Sequence, residues 1–172
     1  MLAICRRALS WHGAPDAQIA LDRIEVLEPA WSAGPSITEL LLEVGVPARA
    51  RTFAAATSGA APGRTASVAE DFARLRRLAS GPAAGGVGSR AAGPGPDPLV
   101  VALPRRTPLS DEEVRELHAL CTARPTVLVA LEQDAFLADF PEAAGRLSAC
   151  DATPAMRRAV AQELAGLGAR VG

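Results

Sequence analysis

Leu99-Val-Val-Ala-Leu103 and Thr126-Val-Leu-Val-Ala-Leu131 are two apolar runs separated by one helix-length segment, and that arrangement decides the fold. A strand covered on one face alternates apolar and polar residues, whereas a strand covered on both faces reads as a continuous apolar run. Parallel neighbours need a crossover connection, so two such runs joined through a helix predict adjacent parallel strands. Downstream, Gln133-Asp-Ala-Phe-Leu-Ala-Asp-Phe-Pro141 leads to a short run, Arg146-Leu-Ser-Ala-Cys150, and to a closing helix from Thr153.

Upstream, Arg23-Ile-Glu-Val-Leu27 reads as the first core strand and Glu28 to Pro35 as its loop. Ser36 to Val44 reads as a helix, because Ile37, Leu40, Leu41 and Val44 recur at helical spacing, and Gly45 closes it. Ala48 to Phe53 is a second strand, an outer one given Arg49 and Arg51, and residues 2–11 read as an edge strand. Ser67 to Leu78 is helical, with Val68, Phe72, Leu75 and Leu78 facing inward and Arg74, Arg76 and Arg77 facing water. Residues 80–98 hold Gly81-Pro-Ala-Ala-Gly-Gly-Val-Gly88 and Gly93-Pro-Gly-Pro-Asp-Pro98, the composition of a flexible loop. Gly85, Gly86 and Gly88 do not form a dinucleotide fingerprint, since they neither follow a strand directly nor open a helix.

Helix starts are marked locally. Ser36-Ile-Thr-Glu39, Ser67-Val-Ala-Glu70 and Ser110-Asp-Glu-Glu113 match the capping box, and Thr153-Pro154 places an N-cap before a first-turn proline. The order β-α-β-α-loop-β-α-β-short α-β-α predicts a single α/β domain over residues 1–172. It is three-layered and doubly wound, with a mainly parallel five-stranded sheet in the flavodoxin/Rossmann-like order 2-1-3-4-5.

A chain of 172 residues buries roughly 70% of the surface its unfolded form exposes, enough to need no staples. A formal net charge of -1 gives no electrostatic reason to expect nucleic acid or an anionic membrane as partner. All 18 basic side chains are Arg, and Lys, Asn and Tyr are absent; their codons all begin with two A/T bases, which points to a GC-rich genome. The lack of Lys excludes a Walker-type phosphate loop and a Schiff-base lysine. Cys5, Cys121 and Cys150 are odd in number and widely spaced, as in a cytoplasmic protein with reduced thiols. No export signal is legible at the start, and no apolar run reaches the roughly 20 residues of a membrane span.

Open parallel sheets bind ligands beyond the carboxyl ends of their strands, where strand order reverses. That rule gathers Glu28 and Trp31 after the first strand, Arg105 and Arg106 after the third, and Glu132, Gln133 and Asp134 after the fourth. Trp31 suits stacking on a sugar ring, and the paired arginines suit a carboxylate or phosphate; the plain alternative is that these residues cover the sheet end and meet water. The ligand-binding candidates are therefore Trp31, Arg105, Arg106, Glu132 and Asp134. No catalytic residue is assigned. Glu132 and Asp134 are near in sequence, but nothing there shows the opposed, desolvated pair that glycoside hydrolysis needs. His118 and Cys121, three apart on a helix, lack the further ligands of a metal site. His12 has no acid or nucleophile near it in sequence, and no serine sits in a Gly-x-Ser-x-Gly elbow. No cofactor or metal is expected.

The order of elements from Leu99 to Gly166, with Asp139-Phe-Pro-Glu142 between the last strands and Thr153-Pro-Ala155 opening a helix that ends Glu163-Leu-Ala-Gly166, resembles the C-terminal α/β domain of family-3 glycoside hydrolases, most of all their β-N-acetylglucosaminidase branch. The resemblance spans Ile24 to Gly166 and is most specific from Pro125 onward. Relatives tend to read Pro-Tyr-Asp where this chain has Asp134-Ala135-Phe136, and a Tyr where it has Cys150-Asp151. The packing residues Leu137, Phe140, Pro141, Leu147 and Leu164 suit the scaffold. In that family the nucleophile and the acid/base lie on an N-terminal barrel, which in this branch carries a Lys-His-Phe-Pro-Gly motif that a chain without Lys cannot contain. The resemblance therefore implies a non-catalytic accessory domain. The partners it implies are a glycosidase barrel encoded separately or, through an uncovered apolar face, a second copy in a homo-oligomer.

Overall fold

The computed structural model describes residues 5, 8–15, 23–53, 70, 72–74, 76, 77, 97–104 and 108–169. The expected cap at Ser67, the Gly/Pro tract up to Pro96, and Arg105 and Arg106 lie outside the described residues.

The elements are β1 (Ser10–Trp11), β2 (Ile24–Pro29), α1 (Ile37–Glu43), β3 (Ala48–Phe53), β4 (Leu99–Leu103), α2 (Asp111–Ala123), β5 (Thr126–Leu131), a 3-10 turn (Ala135–Asp139), β6 (Gly145–Ala149) and α3 (Pro154–Ala169). Residues 70, 72–74, 76 and 77 are also helical. The strands form one sheet in the order β1-β6-β5-β4-β2-β3. From β3 to β6 all neighbours are parallel, which is the expected 2-1-3-4-5 order. Val26 stands opposite Val100, Val100 opposite Val127, and Val127 opposite Gly145, so one register line crosses four strands.

The sheet has six strands where five were expected. The sixth, β1, runs antiparallel on β6, with Ser10 opposite Ser148 and Trp11 opposite Leu147. Two residues carry no periodicity, so this pairing is set by the open edge of β6, which needs covering. His12 N–H extends the ladder to the Arg146 carbonyl at 2.8 Å. Trp11 donates from Nε1 to Glu163 of α3 at 3.0 Å. Its ring passes so near Gly145 that a Cβ there would meet it at 3.0 Å.

β4 and β5 are buried at every position because both faces of the sheet are covered. Alternate residues divide between two cores. Val26, Val100, Ala102, Val127, Val129, Leu131 and Leu147 face α1 and α3 through Ile37, Leu40, Leu41, Met156, Val160 and Leu164. Leu27, Leu99, Val101, Leu103 and Leu128 face α2 and the 3-10 turn through Leu117, Leu120, Leu137 and Phe140, with Phe72 on the same side. Leu137, Phe140, Leu147 and Leu164 are all fully buried, as scaffold residues should be, whereas Pro141 is exposed. Arg74 and Arg77 face water, and Arg76 pairs with Glu116 of α2 at 3.2 Å.

Helix ends follow the local signals. Both the Ser36–Glu39 and the Ser110–Glu113 capping boxes are closed in both directions. Thr153 Oγ1 accepts from Met156 N at 3.3 Å. Such caps contribute about 1 kcal/mol each. Gly45, at φ +84°, lets Val46 N–H bond the Leu41 carbonyl at 2.9 Å and Gly45 N–H the Leu42 carbonyl at 3.1 Å, the paired bonds of a glycine-terminated helix.

Candidate functional site

The strand order reverses between β2 and β4, and the strand ends at Pro29 and Leu103 are where sheets of this kind take ligands. The first wall at these ends is the β2–α1 connection. Glu28 is 1% exposed, and a carboxylate in that position must be fully paired. One oxygen, Oε2, accepts from Trp31 Nε1 at 2.7 Å and from Ile37 N at 2.8 Å. The other accepts from Thr38 N at 3.0 Å and from Thr38 Oγ1 at 2.6 Å. First-turn amides of a helix have no intrahelical partner and attract anions. Here the chain supplies its own anion, so a ligand phosphate has no helix terminus to occupy at this loop.

Trp31 is held from two directions. Its indole N–H is bonded to Glu28, and the Arg157 guanidinium of α3 lies 4.2 Å above its ring. Arg157 is 2% exposed and donates to the carbonyls of Ala152, at 3.2 Å, and of Ala33. Burial lowers its pKa from the ordinary value, against the opposing pull of the Glu28 carboxylate. Gly34, at φ +71°, completes the clamp, since a Cβ there would stand 2.8 Å from the Pro154 ring. Trp31 and Glu28 are thus both held by contacts within the chain. Arg105 and Arg106, the residues expected opposite them, lie outside the described residues.

Asp134 belongs to a different neighbourhood. It follows β5 and accepts from Ser148 Oγ of β6 at 2.7 Å, with His12 Nε2 3.5 Å from the same oxygen. The Ser148 hydrogen bond, and to a lesser degree the His12 charge, hold the Asp134 carboxyl below its ordinary pKa. That suits a fixed anion and is the opposite of what a general acid needs. The contacts also differ from a nucleophilic triad: the serine hydroxyl donates to the carboxylate, whereas activation requires it to face the imidazole. Since β4 separates β2 from β5, the Trp31 wall and the start of this group are about 10 Å apart at the strand level. Glu132, half-buried at the end of β5, and the exposed Gln133 lie between β5 and Asp134. The structure therefore divides the sequence-derived candidates into a Glu28–Trp31 wall and an Asp134 cluster.

Sequence reading missed three members of these clusters. His12 and Ser148 reach Asp134 only through the β1–β6 pairing, and Arg157 reaches Trp31 through the packing of α3. His118 and Cys121 do not form a metal pair. His118 Nδ1 meets Glu142 at 2.5 Å, and its ring centroid is 4.4 Å from that of Phe140. The Cys121 thiol is pushed up to about 12 by burial and by the nearby Glu142 charge. Among the described residues no cluster of three or more His, Cys, Asp or Glu could hold a metal ion. Nor is any helix among them long and apolar enough to cross a membrane.

The sheet order and the helices on both faces define a doubly wound α/β domain. No family model and no curated protein matches the sequence. Solved structures share the fold: a family-3 β-N-acetylglucosaminidase from Paenibacillus sp. str. FPU-7 (TM-score 0.63, 13% identity), which this chain matches over 96% of its own length and 30% of the enzyme's. A β-glucosidase from Erythrobacter marinus is similar (0.60, 14%, 96% and 28%). So is a fungal multi-domain family-3 β-N-acetylglucosaminidase (0.58, 13%, 96% and 17%). The chain thus spans less than a third of each of these proteins.

Proposed function

We propose that this chain is a non-catalytic accessory domain of the family-3 glycosidase type, related to the C-terminal half of the β-N-acetylglucosaminidases. In this reading it works with a barrel domain, in the cytoplasm, as one α/β domain over residues 1–172. The observation that carries the proposal is the engagement of Glu28 and Asp134. Glu28 is enclosed as a helix cap, and Asp134 accepts from Ser148 with its pKa lowered, which argues against either as the proton donor of a glycosidase pair. The fold likeness to part of much longer glycosidases supports the same reading. The test is hydrolysis of a chromogenic N-acetylglucosaminide by the purified chain. No turnover is expected; turnover abolished by Glu132→Gln or Asp134→Asn overturns the proposal.

A second reading, a binding module for a sugar or phosphorylated small molecule, is favoured by the fixed indole of Trp31 at the strand-order reversal. Titrating Trp fluorescence with sugars and nucleotides discriminates. Saturable quenching that persists in Trp11→Phe and is lost in Trp31→Phe supports it, and no response up to millimolar ligand sinks it.

A further inference from the structure

Among the described residues, the large apolar side chains left exposed are Leu42 and Val44, at 53% and 42%, and both stand at the carboxyl end of α1. The opposite side of the helix is spent on the core through Ile37, Leu40 and Leu41. Beside Leu42 lies a shallow groove of about 590 Å³, lined by Gly34, Pro35, Glu39, Leu42 and Glu43. On its rim Arg158 of α3 donates to Glu43 at 2.8 Å, with the two side chains 40% and 50% exposed.

An interface on a two-fold axis presents a surface to itself, so the surface must be its own complement. This one is. A protruding leucine stands next to a groove, and an acid stands next to a base. A partner of single-sign charge would set one of those two rim charges against its like. We infer that a second copy of this chain docks here, the Leu42 of each copy entering the groove of the other, with Glu43 and Arg158 exchanging partners across the axis. The residues named here, Gly34, Pro35, Glu39, Leu42, Glu43 and Arg158, are far fewer than the roughly 20–30 a side of a standard interface. Association is therefore weak, half-complete on the order of 100 μM. This inference does not rest on the accessory-domain reading, and hydrolysis assays leave it untouched.

Sedimentation velocity of the full chain between about 5 and 500 μM tests it. The expected result is a shift from monomer to dimer that Leu42→Arg weakens by at least about tenfold. Glu43→Arg and Arg158→Glu are each expected to weaken it by a similar factor, and the double variant E43R/R158E to return within about threefold of wild type. An equimolar mixture of the two single variants should associate more tightly than either alone, because one then carries two positive rim charges and the other two negative ones. A chain that stays monomeric throughout overturns the proposal. So does a dimer indifferent to Leu42→Arg, or a mixture that associates no better than its components.

Discussion

Glu28 shows how one buried charge can organise a loop. Its carboxylate satisfies two backbone amides, a hydroxyl and an indole N–H, and removing it leaves those donors buried or half-buried without an acceptor. An unsatisfied buried donor costs about 1–3 kcal/mol. Relaxation and water entry recover part of the sum, so Glu28→Ala should lower unfolding free energy by about 2–4 kcal/mol in urea. A loss under about 1 kcal/mol would mean that the cap is redundant with Ser36. Gly34 offers a smaller test at the same wall. Its positive φ and the 2.8 Å approach of a built Cβ to Pro154 predict that Gly34→Ala costs about 1–2 kcal/mol, read as a lower urea midpoint with an unchanged slope.

At the level of elements, β2, β3 and the turn before β5 are joined by charge at the amino ends of the strands. Glu25 accepts from Arg51 of β3 and, at 2.8 Å, from Arg124, and Arg124 also donates to the Asp97 carbonyl that precedes β4. Burial works to raise the Glu25 pKa, but the hydrogen bonds from Arg51 and Arg124 and their charges outweigh it and leave the value below the ordinary 4.5. A carboxylate depressed on folding adds stability that is complete above its unfolded-state titration and is lost as pH falls through the folded-state value. The urea midpoint should therefore fall below about pH 4.5, and Glu25→Gln should flatten that part of the profile while lowering the plateau above it. A profile equally steep in the variant would assign the acid sensitivity elsewhere. This network was invisible in the sequence, where Arg49 and Arg51 only marked an outer strand, because it joins residues from four distant segments. The capped helix starts and the buried runs of β4 and β5 were legible, because their causes lie within a few residues of each other. β1 was legible only as an edge strand: its partner and direction depend on the edge that β6 offers. The same contrast holds at the candidate site. The rule that ligands gather at strand ends picked out Trp31 and Asp134, but the residues that contact them, Arg157, Ser148 and His12, arrive from far along the chain.

At the scale of the whole molecule, the question is whether the strands before and after residues 54–96 fold as one unit. The sheet is continuous across that interval, because β2 pairs with β4 from Glu25 opposite Leu99 to Leu27 opposite Val101. The core beneath α1 and α3 mixes Ile24, Val26, Ile37 and Leu40 from one side with Val100, Val127, Met156 and Leu164 from the other. Separating the two sets would expose apolar residues of both, because α1 packs on α3 across the divide as well as on its own strands. That arrangement predicts a single cooperative transition. Two reporters are available, since Trp31 sits on the β2–α1 wall against Arg157 and Trp11 on the far edge against Gly145 and Glu163. In Trp11→Phe and Trp31→Phe, each corrected for its own loss of stability by its far-ultraviolet circular dichroism midpoint, the remaining tryptophan should unfold at the same urea concentration as the helices. Two separated steps, with the Trp31 signal lost before that of Trp11, would show that β2 and β3 detach from β4 and that the two halves of the sheet are independent units sharing an edge.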